Sequence, residues 1–111
     1  MVSIYANEGD ITAMRDRKLA EIDAQIRGSQ ATLAAQQGAL ARLQAKAKDE
    51  SGGGKPVPEQ TQTGIGKAEA VIAKQAAFIQ SKLQEQAAIK QQFQADLERY
   101  RQIKTKPAEK Q

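Results

Sequence analysis

The sequence predicts an all-α protein, two long helices forming an antiparallel coiled-coil hairpin. Three observations carry this. Alanine and glutamine make up about a third of the 111 residues, a composition that favours helix. Large apolar residues recur every seven positions on both sides of the chain centre, the mark of a coiled-coil seam. The one strong interruption is Ser51-Gly52-Gly53-Gly54-Lys55-Pro56-Val57-Pro58 near the midpoint. There three glycines release the backbone and two prolines forbid helix, so the chain turns back.

In chain order, residues 1–10 form a lead-in, Val2 to Ala6 apolar and Asn7 to Asp10 turn-like. Asp10 is the expected N-cap, its carboxylate accepting from free backbone N–H groups. Ile4 and Tyr5 are placed to fold back over the helix start. The helical hairpin spans 11–104. Its first helix runs from about 11 to 48, with Leu19, Ile26, Leu33 and Leu40 in one heptad position and Ile22, Ser29, Gln36 and Leu43 in the complementary one. Ile11 and Met14 fall out of phase, so the first two turns are expected to pack locally.

A turn over 49–62 follows. The second helix starts at Glu59 or Thr63, is taken as about 63–104, and carries Ile65, Ile72, Ile79, Gln86, Phe93 and Tyr100 as another series of sevens. Ala76, Leu83, Lys90 and Leu97 are assigned to its complementary row, with Ile89 flanking Lys90. Folding at the turn then sets Leu40 near Ile72, Leu33 near Ile79, Ile26 near Gln86 and Leu19 near Phe93, one constant antiparallel register. Ser29, Gln36 and Gln86 pin that register only weakly. Pro107 ends the helix, and 105–111 is expected to be a disordered tail.

A stripe of small residues lies on the first helix away from the seam: Ala24, Gly28, Ala31, Ala35, Gly38 and Ala45. Glycine inside a helix costs about 1 kcal/mol relative to alanine. Two of them on one stripe suggest that another helix approaches there, although alanine is also simply the best helix former. Val71 and Phe78, off the main seam of the second helix, are candidate knobs for that groove. Gly28, Ala31, Ala35, Gly38, Val71 and Phe78 are therefore the candidate interaction residues. A lone two-helix layer buries one face of each helix, so self-association or packing on another helical protein would bury more.

Little else in the chain can carry chemistry. Without histidine or cysteine, the common nucleophile–base arrangements, disulfides and thiolate metal sites have no members. Glu21/Asp23 and Asp96/Glu98 are two apart, so their side chains diverge on a helix. Gly64-Ile65-Gly66 is a fragment of a phosphate loop without its strand or third glycine, and reads instead as a relaxed start to the second helix. No catalytic residue, cofactor or metal site is expected. The net charge of +4 is mild. Arg15, Arg17, Lys18, Arg99, Arg101, Lys104 and Lys106 gather at the open end of the hairpin, where nucleic-acid binding is the alternative reading. Asp10, Asp16, Glu21, Asp23, Asp96 and Glu98 are interleaved with them, which favours a mixed ion-paired surface. Residues 1–10 hold no apolar run long enough for an export signal, and no later stretch is apolar enough to span a bilayer.

Tyr5-Ala6-Asn7-Glu8-Gly9-Asp10-Ile11, followed by Arg15-Asp16-Arg17-Lys18-Leu19-Ala20-Glu21-Ile22-Asp23-Ala24-Gln25-Ile26, resembles a segment of uncharacterised proteobacterial envelope proteins. In those a short Tyr-containing lead-in and an Arg-Asp-Arg motif open a long helix. The turn 54–58 and Phe93-Gln94-Ala95-Asp96-Leu97-Glu98-Arg99-Tyr100-Arg101 are similar to the rest of that segment. The resemblance covers most of the chain. It implies a periplasmic or cell-envelope setting and a piece of a longer protein, with a cytoplasmic setting left open, and it implies no activity. A second similarity, of architecture alone, is to the Ala- and Gln-rich helical hairpins of membrane-fusion adaptors in secretion and efflux machines; the strand-rich halves that flank those hairpins are absent here. The expected function is a non-enzymatic structural or protein–protein interaction module.

Overall fold

The computed structural model describes residues 7–105, with side chains through Ile103. It is an antiparallel helical hairpin. Helix α1 spans Glu8–Glu50, helix α2 spans Glu59–Thr105, and a short 3-10 turn at Gly52–Gly54 lies between them. No strand occurs among the described residues. The expected backfolding of Ile4 and Tyr5 and the tail beyond Thr105 lie outside them; Thr105 itself is helical.

The turn follows from its residues. Ser51 N–H still donates to Ala47 O at 3.0 Å, and Ser51 Oγ donates to Lys48 O at 3.1 Å, so two of the last four carbonyls of α1 are satisfied by Ser51. Gly53 and Gly54 then take φ of 74° and 81°, a region open to glycine at little cost. Lys55 is extended at φ −71°, ψ 147°, as a residue before proline must be. Pro58 O accepts from the N–H groups of Thr61 and Gln62, both at 3.1 Å, and α2 begins.

The start of α1 differs from expectation by about one turn. Asn7, not Asp10, caps α1: its Oδ1 accepts from Asp10 N–H at 3.0 Å, leaving Asp10 inside the first turn. Helix α2 starts at Glu59, the earlier of the two expected starts, and its first turn is tied to the end of α1. Thr61 is buried and its Oγ1 donates to Glu50 Oε1 at 2.7 Å.

The chain divides into two compact units, Met1–Ala24 with Lys82–Gln111, and Gln25–Ser81. In the first, Ile11 is 1% exposed and clusters with Phe93 and Leu97, with Met14, Ile89 and Tyr100 packed around them. The expectation that Ile11 and Met14 pack only within their own helix is therefore wrong. Ile11 lies eleven positions before Ile22, three turns at about 3.67 residues each, so a step outside the seven-residue repeat keeps it on the seam.

In the second unit Ile26, Ser29, Thr61 and Ala68 are buried. Leu33, Gln36, Leu40, Leu43, Ile65, Ile72, Gln75 and Ile79 are half-buried. The heptad rows of α1 and the Ile65–Ile72–Ile79 row of α2 thus form the seam. The complementary row of α2 is a different one. Residues 61, 68, 75, 82 and 89 turn inward, whereas Ala76 and Lys90 are exposed and Leu83 is 44% exposed; of the expected row only Leu97 is buried. The buried face of α2 is rotated by about 50° from the one that its leucines suggest.

Register differs too. Ser29 meets Gln75, where the expected register would bring it Leu83, a local offset of about two helical turns, whereas next to the turn Thr61 meets Glu50 within one residue of the expected pairing. Small and polar residues make this possible. Gly64 comes close to α1, a Cβ there falling 3.4 Å from both δ carbons of Leu43. Its role is close packing inside α2 rather than a relaxed start to that helix. Lys82 occupies a seam position with its stem and sends Nζ outward to Glu85 Oε2 at 3.1 Å.

Candidate functional site

Two of the six candidate interaction residues come together. Gly28 on α1 and Phe78 on α2 line one shallow depression, with Gln25, Ser29, Thr32, Lys74 and Gln75. Thr32 Oγ1 donates to the Gly28 carbonyl at 3.2 Å, the i to i−4 back-bond that a helical threonine commonly makes. A Cβ at Gly28 would meet nothing within 4 Å, so none of the described residues fills that space. Phe78 borders it at 40% exposure, high for a large aromatic side chain.

The remaining candidates lie apart from the depression. Ala31 and Ala35 are exposed along α1, and Gly38 is half-buried beneath Arg42, whose Nη1 lies 3.5 Å from where a Cβ would stand. Val71, half-buried on α2, is not among the lining residues. Groove and knob were expected to belong to different hairpins. Gly28 and Phe78 instead share a face of one hairpin.

Beneath this depression is a polar step that sequence reasoning passed over. Ser29 is buried in the heptad row, its Oγ donating to Gln75 Oε1 and lying 3.5 Å from the Gln75 carbonyl. A serine between Ile22 and Ile26 on one side and Leu33 on the other was the available signal. Its partner was hidden because Gln75 is one of many glutamines on α2.

At the open end the charges are interleaved in space as well as in sequence. Arg15 Nε lies 3.0 Å from Asp16 Oδ1, Arg99 Nη1 4.0 Å from Asp96 Oδ1, and Arg101 Nε bonds to Glu8 Oε1. All of these side chains except Asp96 and Arg15 are largely exposed, so each pair contributes under about 1 kcal/mol. The side chains of Lys104 and Lys106 lie outside the described residues. Among the described residues no group of three or more acidic, histidine or cysteine side chains could hold a metal ion. Among the described residues no helix is long and apolar enough to cross a membrane. In comparisons with known proteins, no family model, curated protein or solved structure matches this chain.

Proposed function

We propose that the chain is a non-enzymatic structural and protein–protein interaction module. Its hairpin serves as a spacer, and the face bearing Gly28 and Phe78 docks a second helical surface, in the first place that of another copy. The supporting observation is Phe78 standing 40% exposed beside the bare Gly28 backbone on one depression. An exposed aromatic next to a helix without side-chain cover lets a second helix approach closely and bury both. Ala31, Ala35 and Gly38 extend the small-residue surface along α1, and Val71 adds apolar area on α2. The likeness to proteobacterial envelope proteins supports a periplasmic or envelope setting, as part of a longer protein.

Sedimentation equilibrium of wild type and Gly28→Gln tests this reading. Wild type should associate in the micromolar range. Gly28→Gln, whose side chain fills the depression, should associate at least about tenfold more weakly, a difference of about 1.4 kcal/mol. A wild type that stays monomeric at high micromolar concentration overturns the self-docking.

A further inference from the structure

Cationic side chains are satisfied differently in the two compact units. In the open-end unit Arg15, Lys82, Arg99 and Arg101 each pair with a carboxylate. In the turn-side unit Arg42, Lys46, Lys67 and Lys74 are exposed, and their side chains make no ion pair or hydrogen bond among the described residues. Helical spacing puts these four on one face. On α1 the row 28, 32, 35, 39, 42, 46 advances by three or four residues, and on α2 the row 60, 64, 67, 71, 74, 78 does the same. Two depressions bridge the rows. Gly28 and Thr32 border one with Lys74 and Phe78, and Lys46 borders the other with Gln60, Gly64 and Lys67.

Neither row contains a carboxylate. Glu59 borders the second depression at its turn end. Glu69 stands two residues beyond Lys67, about 200° around α2 and so on the opposite face. The rest of the face is mostly small or apolar, with Gly28, Ala35 and Ala39 on α1 and Val71 and Phe78 on α2. It is a furrow between two helices with uncompensated positive charge along both edges.

We propose that this face takes an acidic amphipathic helix of a partner protein. The partner's apolar stripe covers Val71 and Phe78 and lies along the small residues of α1, while its carboxylates meet the cations at the edges. Arg42 and Lys46 are about 6 Å apart along α1, and Lys67 and Lys74 about 10.5 Å apart along α2. Carboxylates four and seven positions apart on the partner match those spacings. A nucleic acid would meet the cations with phosphates and leave Val71 and the small residues of α1 without a partner. The inference rests on the docking reading for the face and differs from it in the occupant. A second copy docked face to face brings four more cations to the same place, so added salt should strengthen that association and weaken the acidic one.

Fluorescence anisotropy with the full 111-residue chain tests this. The probe is a labelled peptide of about 20 residues, the length of the α1 row, with an alanine–leucine stripe flanked by glutamates four and seven apart. It should bind in the micromolar range at low salt, and the same peptide with glutamine in place of glutamate should bind at least about tenfold more weakly. Lys46→Glu with Lys67→Glu should also weaken binding at least about tenfold. Arg17→Glu with Lys90→Glu, exposed in the open-end unit and equal in charge change, should leave it within about twofold. All four positions are exposed, so circular dichroism should show each double variant folded. Absence of binding, or equal loss in the two double variants, overturns the proposal. So does a labelled single-stranded oligonucleotide of about 20 nucleotides that binds more tightly than the peptide with the same dependence on Lys46 and Lys67. Peptide binding by a chain that sediments as a monomer upholds the proposal and removes self-docking; self-association without peptide binding does the reverse.

Discussion

Replacing Gly28 by alanine separates the stability of the isolated hairpin from that of a docked one. Gly28 lies well inside α1, and an added Cβ would meet nothing within 4 Å, so the substitution brings no clash. The Thr32 hydroxyl bonds to the Gly28 carbonyl, which the change leaves in place. What remains is intrinsic helix propensity, about 0.8–1.0 kcal/mol in favour of alanine. For a chain of this size that corresponds to a rise in melting temperature of about 4–8 °C. Urea and thermal denaturation followed by far-ultraviolet circular dichroism at low micromolar concentration measure it. At high concentration the gain should shrink, because the methyl group then stands where a second helix approaches. A Gly28→Ala variant less stable than wild type when dilute refutes the geometry at this position. A gain unchanged at every concentration refutes its part in docking. Gly64→Ala is the matched contrast. There a Cβ falls 3.4 Å from both δ carbons of Leu43, so the propensity gain is offset by crowding and the net change should be near zero or destabilising.

Two further predictions address the seam. Ala68, 4% exposed, faces the partner helix, so Ala68→Leu should lower stability by about 1–3 kcal/mol. Leu83→Ala, by contrast, should cost under about 1 kcal/mol; the reverse ranking in urea melts would restore the leucine row as the buried one. Ser29→Ala removes the donor to Gln75 and should cost about 0.5–1.5 kcal/mol. A double-mutant cycle with Gln75→Ala checks that this is a coupling between the two residues, which additive effects would disprove.

Much of the fold was legible because helical propensity and heptad spacing are local properties. The glycine–proline turn, the α1 seam through Ile22 and Ile26, and the Ile65–Ile72–Ile79 row needed only counting. The phase of the second row on α2 was not legible. Leu83 looks more apolar than Gln75 and Lys82, so hydrophobicity pointed there to the wrong side of the helix. Gln75 is accepted in the seam because Ser29 bonds to it, and Lys82 because its stem can cover the surface while its ammonium reaches Glu85. For the candidate site, the small-residue stripe and the off-seam Phe78 could be read directly. That Gly28 and Phe78 border the same depression depends on register, which no local pattern contains.

By itself, then, the sequence determined two helices, where the chain reverses, and which face of α1 turns inward, since each follows from propensities and spacing along a single helix. Register and the inward face of α2 were decided only in three dimensions. Seven-residue repeats along each helix do not by themselves fix which turns meet. That falls to contacts between residues far apart in sequence, Ile11 with Phe93 and Leu97, and Ser29 with Gln75.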